Sequence, residues 1–246
     1  MEYLLLIAAG FAAGFINTLA GGGTLLTLPA LIFLGLDPNV ANGTNRIAIF
    51  LQTGASVLGF KSKGESTAPF SIYLAIPALL GSFVGAQLAS DIDGALFKDI
   101  LSIIMILVVI AIVFKPKHKL QELQERLTGK HLWISMILFF FVGIYGGFIN
   151  AGIGFIILLI LPYINRMSLL RSNVTKVMVV CIYTISAIIT FQINGLIDWK
   201  VGFIMATGNI TGAWIASRWS VKKGDGIVKV FLVIMVTAMA IKLWFF

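Results

Sequence analysis

Two short polar stretches interrupt an otherwise apolar chain, and they hold most of the side chains able to do chemistry. The first is Asn17-Thr18-Leu19-Ala20-Gly21-Gly22-Gly23-Thr24 and the second is Asn42-Gly43-Thr44-Asn45-Arg46. Each has an echo, in Asn150-Ala151-Gly152-Ile153-Gly154 and in Asn173-Val174-Thr175-Lys176. These residues are hydrogen-bond donors and cations rather than acids, so the chemistry they suit is holding an anion. Three consecutive glycines break a helix and let a ligand approach the backbone. A helix restarting near Thr24 offers unpaired amides and the positive end of its dipole. Asn17, Thr24 and Asn150 add neutral donors, and Arg46 and Lys176 add charge. Arginine in particular suits planar or tetrahedral oxyanions.

The candidate substrate-binding set is therefore Asn17, Gly21, Gly22, Gly23, Thr24, Asn42, Thr44, Asn45, Arg46, Asn150, Gly154, Asn173, Thr175 and Lys176. Plainer roles stand beside this one. The glycines also suit close packing of membrane helices. Asn42–Asn45 and their echo also suit a capped helix start, which itself exposes amides. Arg46 and Lys176 also suit anchoring at a membrane interface. Gln52 and Gln192, in or near apolar runs, are further candidates for lining a path.

Other chemistries lack their residues. The acids Glu2, Asp37, Glu65, Asp91, Asp93, Asp99, Asp198 and Asp225 fall at run edges or in loops, so a carboxylate proton relay at membrane depth is not expected. No nucleotide-binding loop, nucleophile motif or His/Cys metal spacing occurs, and no catalytic residue, metal or cofactor is assigned. Cys181, the single cysteine, lies in an apolar run and is read as packing.

The elements that must position these residues are membrane helices. Of 246 residues, 59% are hydrophobic and 11% charged, with mean hydropathy +1.01. Soluble domains carry roughly 25% charged residues. The net charge of +8 is confined to short loops, a positive-inside pattern rather than a nucleic-acid-binding face. The first twenty residues lack a basic leader and are read as mature protein. Apolar runs fall near 3–20, 24–35, 44–60, 70–90, 95–114, 132–149, 153–164, 173–193, 200–219 and 226–246. Runs 24–35 and 153–164 are too brief for a comfortable crossing of about 20 residues.

The chain reads as two halves, 1–114 and 132–246, around a polar connector, 115–131. Gly14-Phe15-Ile16-Asn17 and Pro29 recur 133 residues later, as Gly147-Phe148-Ile149-Asn150 and Pro162. Asn42, Gly64 and Gly81 recur 131 residues later, as Asn173, Gly195 and Gly212. That is an internal repeat. Equivalent loops carry opposite charge, −2 over Asp91–Asp99 against +3 over Arg218–Lys229, which suggests opposite sides of the membrane. The basic connector and the loop holding Arg166, Arg171 and Lys176 both belong on the cytoplasmic side. An even number of crossings must separate them, so 132–164 enters and returns, and by repeat logic so does 3–35. The expected fold is an all-α integral membrane protein of two inverted repeats. Each repeat is a helical hairpin or re-entrant pair plus three transmembrane helices, with both termini outside. Eight single crossings are the alternative.

Gly10…Gly14-Phe15-Ile16-Asn17…Gly21-Gly22-Gly23…Pro29, the following Asn42-Gly43-Thr44-Asn45 and their recurrence resemble the sulfite exporter TauE/SafE family over essentially the whole chain. The second copy departs from the first, with Gly152-Ile153-Gly154 in place of three glycines. The resemblance implies a multi-pass permease of the plasma (inner) membrane for sulfite, sulfonate or related small anions, with no enzymatic activity. The expected mechanism is alternating access around a midplane site between the hairpins. A passive channel or a non-transporting assembly subunit are the competing readings. Expected partners are the small anion and the lipid bilayer, with a homodimer as candidate assembly and no nucleic acid.

Overall fold

The computed structural model describes residues 2–101, 103 and 124–223. The named elements are all helices: α1 (Glu2–Leu19), α2 (Thr24–Phe33), α3 (Pro38–Lys61), α4 (Phe70–Asp91), α5 (Gly129–Phe148), α6 (Ile153–Asn165), α7 (Leu169–Ile193) and α8 (Trp199–Lys223). A further helical segment runs over 94–101. Most of the expected span 95–114, all of 226–246 and most of the connector lie outside the described residues.

Among the described residues, three helices are long and apolar enough to cross a membrane: α4, α5 and α7. Only 44% of the α4 window and 33% of the α5 window is buried within the protein. Their outer faces carry Leu80, Phe83, Trp133 and Phe141, all more than half exposed. Such faces are stable against hydrocarbon and not against water. α3 and α8 are equally long but more polar, and the polarity points inward. Asn42, Asn45, Arg46, Gln52, Asn209 and Ser217 are all at most 1% exposed.

The helices exchange partners between halves in a two-fold pattern. α1 packs along α8, and α5 packs along α4. Both seams use small residues at a spacing of four. Gly10 and Gly14 lie against Met205 and Asn209, while Gly208 and Gly212 lie against Ile7 and Phe11. Gly81 and Gly85 meet Phe140 and Ile144, while Gly143 and Gly147 meet Ala78 and Ser82. A Cβ at Gly85 would stand 1.9 Å from the Ile144 carbonyl oxygen, so backbones touch there. Without a hydrophobic driving force between helices in lipid, this close packing is what holds them.

Loop contacts sort into two ends. At one end Asn39 Nδ2 donates to Ile92 O at 2.7 Å, the Asp198 amide donates to Thr44 Oγ1 at 2.9 Å, and Lys200 lies over the Tyr3 ring. At the other, the Arg126 amide donates to Asn165 O at 2.9 Å, Arg171 Nε pairs with Glu125 at 2.6 Å, and Thr175 donates to Thr67. The chain entering α1 and the chain leaving α2 therefore share the first end. The chain entering α5 and the chain leaving α6 share the second. Each pair enters and returns, as the charge arithmetic predicts.

The short returning arms match the brief apolar runs, with 10 residues in α2 and 13 in α6. At about 1.5 Å per residue they reach roughly 15 and 20 Å, short of a hydrocarbon core.

Candidate functional site

The α1–α2 break follows directly from its glycines. Gly21 takes φ +90°, a conformation L side chains rarely adopt, and its amide donates to Ile16 O at 3.3 Å to close α1. Gly23 stands at the N-cap, and α2 restarts at Thr24 as expected. The α5–α6 break turns at Asn150 (φ 57°) and Gly152 (φ 71°). Among the described residues the amides of Gly22 and Gly23 have no backbone acceptor.

The two breaks touch. A Cβ on Gly21 would lie 2.3 Å from Gly154 Cα, and one on Gly154 would lie 2.2 Å from Gly21 Cα. Asn150 Nδ2 crosses between them to Thr24 Oγ1 at 3.2 Å, while Asn150 Oδ1 accepts from the Tyr183 hydroxyl.

A helix ending inside the protein leaves carbonyls without partners and a partial negative charge. Here each half supplies the cap for the other. Lys176 Nζ donates to Asn17 O at 2.9 Å, to Thr18 O at 3.1 Å and to Asn173 Oδ1, and Asn173 Nδ2 donates to Leu19 O at 3.0 Å. In the mirror arrangement Arg46 donates to Gly146 O, to Gly147 O at 2.9 Å and to Asn42 Oδ1 at 2.9 Å. Asn42 Nδ2 donates to Phe148 O at 2.8 Å.

Arg46 is 0% exposed and Lys176 3%, yet neither has a carboxylate partner. The Arg171–Glu125 ion pair is peripheral and involves neither of them. The helix ends are their counter-charges. Arg46 also lies 5.5 Å from the centre of the Phe191 ring.

Beside the breaks is a narrow cavity lined by Asn17, Gln52, Thr53, Asn150, Ile153, Gly154, Lys176, Val177 and Val180. Of the candidate set, Asn17, Asn150, Gly154 and Lys176 meet there. Thr24 is joined to it through Asn150.

Gly21 packs on Gly154, Gly22 and Gly23 lie in the same break without lining the cavity, and the others lie elsewhere. Asn42, Arg46 and Asn173 cap helix ends, Thr44 and Thr175 tie loops, and Asn45 is buried with both amide atoms unpaired. The alternative role of Asn42 and Asn173, capping a helix start, does not hold. α3 begins at Pro38 and α7 at Leu169, with Ser168 as N-cap, so both motifs lie inside a helix and offer no free amides. Their polar side chains serve the neighbouring half instead. All three ammonium protons of Lys176 are taken, so it offers the cavity charge without a free donor.

Gln52 lines the cavity, whereas Gln192 is at the periphery, accepting from Trp199 Nε1 at 2.7 Å. Sequence reasoning missed Tyr183 and Asn209. Both are polar groups inside apolar runs, the only signal they gave.

A family model described as "Sulfite exporter TauE/SafE" matches residues 6–243. A "Probable membrane transporter protein" of Haemophilus influenzae is 30% identical, over 97% of this chain and 93% of the relative. "Probable membrane transporter protein ORF9" of Sinorhizobium sp is 29% identical, over 97% and 90% of the two chains. "Probable membrane transporter protein YfcA" of Escherichia coli K12 is 28% identical, over 97% and 88%. No solved structure matches this chain.

Proposed function

Because the chain belongs to the sulfite exporter TauE/SafE family, a family of membrane transporters, we propose that it carries small anions of the sulfite or sulfonate type by alternating access and catalyses no reaction. One observation carries the reading. Two helix breaks from different halves meet at Gly21 and Gly154 beside a narrow cavity whose one charged lining residue, among the described residues, is Lys176. Interrupted helices meeting at a repeat interface are how transporters build a substrate site at membrane depth. A single buried cation in such a site favours a negative guest.

Alternating access needs two bodies that rock about the site. The opposed openings of the α1–α2 and α5–α6 pairs, and the exchanged caps, support an inverted repeat whose halves grip each other at the breaks. Charge supports an orientation in the plasma membrane. The end holding the connector carries Lys61, Lys63, Arg126, Lys130, Arg166, Arg171 and Lys222 with Glu65 and Glu125, and the opposite end carries Asp37, Asp91, Asp93 and Asp198 with Lys200. By the positive-inside bias, the connector end is cytoplasmic.

The test is counterflow in proteoliposomes holding the purified protein. Unlabelled sulfite or methanesulfonate inside should accelerate entry of the labelled anion. Entry without such stimulation indicates a pore, and no entry of any small oxyanion rejects the transport reading.

A further inference from the structure

The geometry points to one anion site per chain, asymmetric between the halves. Gln52 supplies the donor that recognises a small, singly charged oxyanion, and Tyr183 fills the equivalent place in the other half. This inference rests on the anion-transport reading and deepens it. The offset of 131 that aligns Asn42 with Asn173 also aligns Gln52 with Tyr183 and Thr53 with Thr184. The two members of the first pair do opposite things.

Gln52 is 1% exposed and lines the cavity. Its Oε1 accepts from Asn209 Nδ2 at 3.2 Å, while its Nε2 has no partner among the described residues. A buried donor left unpaired is costly, and of the unpaired buried side-chain atoms among the described residues, Gln52 Nε2 is the one on a residue that lines the cavity. Tyr183 is 0% exposed and does not line the cavity. Its ring occupies the notch left by Gly146, where a Cβ would come within 2.8 Å of it, and its hydroxyl is spent on Asn150.

Among the other polar groups lining the cavity, Lys176 has used its three protons, Thr53 Oγ1 donates back to Ile49 and Phe50, and Asn150 bonds Thr24 and Tyr183, which leaves the Asn17 side-chain amide beside Gln52. Lys176 thus supplies attraction, and Gln52 with Asn17 supplies direction. One lining cation matches one negative charge, and a second would go uncompensated in a site walled by Ile153, Val177 and Val180.

Calorimetric titration of methanesulfonate and of sulfate into detergent-purified protein tests this, with wild type, Gln52→Leu and Gln52→Glu compared. Wild type should bind one methanesulfonate per chain, and sulfate more weakly. Gln52→Leu should bind methanesulfonate roughly tenfold more weakly or worse, the loss expected for one hydrogen bond to a charged group. Gln52→Glu keeps an acceptor for Asn209 but brings a carboxylate to the guest, and should show no binding. Thermal melts without ligand establish that the variants are folded. Unchanged affinity in both variants overturns the role of Gln52. Two anions per wild-type chain, a result that needs no variant, overturns the asymmetry, and tighter binding of sulfate overturns the charge match. A wild-type protein that binds no oxyanion at all rejects the transport reading itself.

Discussion

Gly21 and Gly154 stand back to back, so close that neither position has room for a methyl group. The contact joins the first helix break to the second, and everything placed at the site depends on it. Gly154→Ala should separate the breaks, because the added Cβ would meet backbone that cannot rotate away. Overpacking of this kind costs about 1–3 kcal/mol. Gly21→Ala adds the strain of positive φ, about 1–2 kcal/mol more. Both variants should lose anion uptake, and Gly21→Ala should melt lower in a detergent thermal scan. Wild-type uptake in either would show that the contact is incidental.

Lys176→Met should be among the most damaging substitutions. It strips the cap from α1 and leaves the carbonyls of Asn17 and Thr18 and the Asn173 amide oxygen without their donor. Each buried orphan costs about 1–3 kcal/mol. Asn173→Ala removes only the Leu19 bond and the support of Lys176, so it should cost less. Thermal melts of the two variants test this order, and the reverse order would mean that Lys176 does not hold the helix end.

Glycines outside the contacts should behave differently. Gly54 lies in α3 with nothing within 4 Å of an added Cβ, whereas a Cβ on Gly59 would stand 2.0 Å from Ser217 Oγ. Gly54→Ala should leave transport intact and raise stability by up to about 1 kcal/mol, the helix-propensity gain. Gly59→Ala should lower the melting temperature. Equal effects of the two would show that α3 and α8 do not pack as described.

The Arg171–Glu125 pair is partly exposed, at 36% and 26%. Arg171→Ala should change stability by no more than about 1 kcal/mol and leave uptake unchanged, as exposed ion pairs usually do. Uptake falling tenfold would instead place that loop in the transport path.

Orientation can be read by labelling. In a Cys181→Ser background, Lys63→Cys and Asp93→Cys lie at opposite ends of the bundle. A membrane-impermeant maleimide added to intact cells should label Asp93→Cys and spare Lys63→Cys. The opposite pattern would invert the proposed topology.

The sequence by itself determined a great deal here. An apolar surplus too large for any soluble core made the chain a membrane protein. The clusters Asn17–Thr24 and Asn150–Gly154 located the breaks to within a residue or two, because glycine clusters and positive-φ positions act locally. The repeat offset and loop charges were enough to predict that α5 and α6 return to the side they enter. What only the tertiary structure decided is who serves whom. In sequence Lys176 aligns with Asn45, yet in space its counterpart is Arg46, one position further on, since a helix cap is defined by where a charged tip reaches and long side chains absorb a residue of shift. Asn42–Arg46 looked like a helix start because Asn and Thr favour one, and burial against another half's broken helix overrode that preference. The contrast between Gln52 and Tyr183 is likewise absent from any local pattern: it exists only because the two halves fold together and leave room beside one and none beside the other.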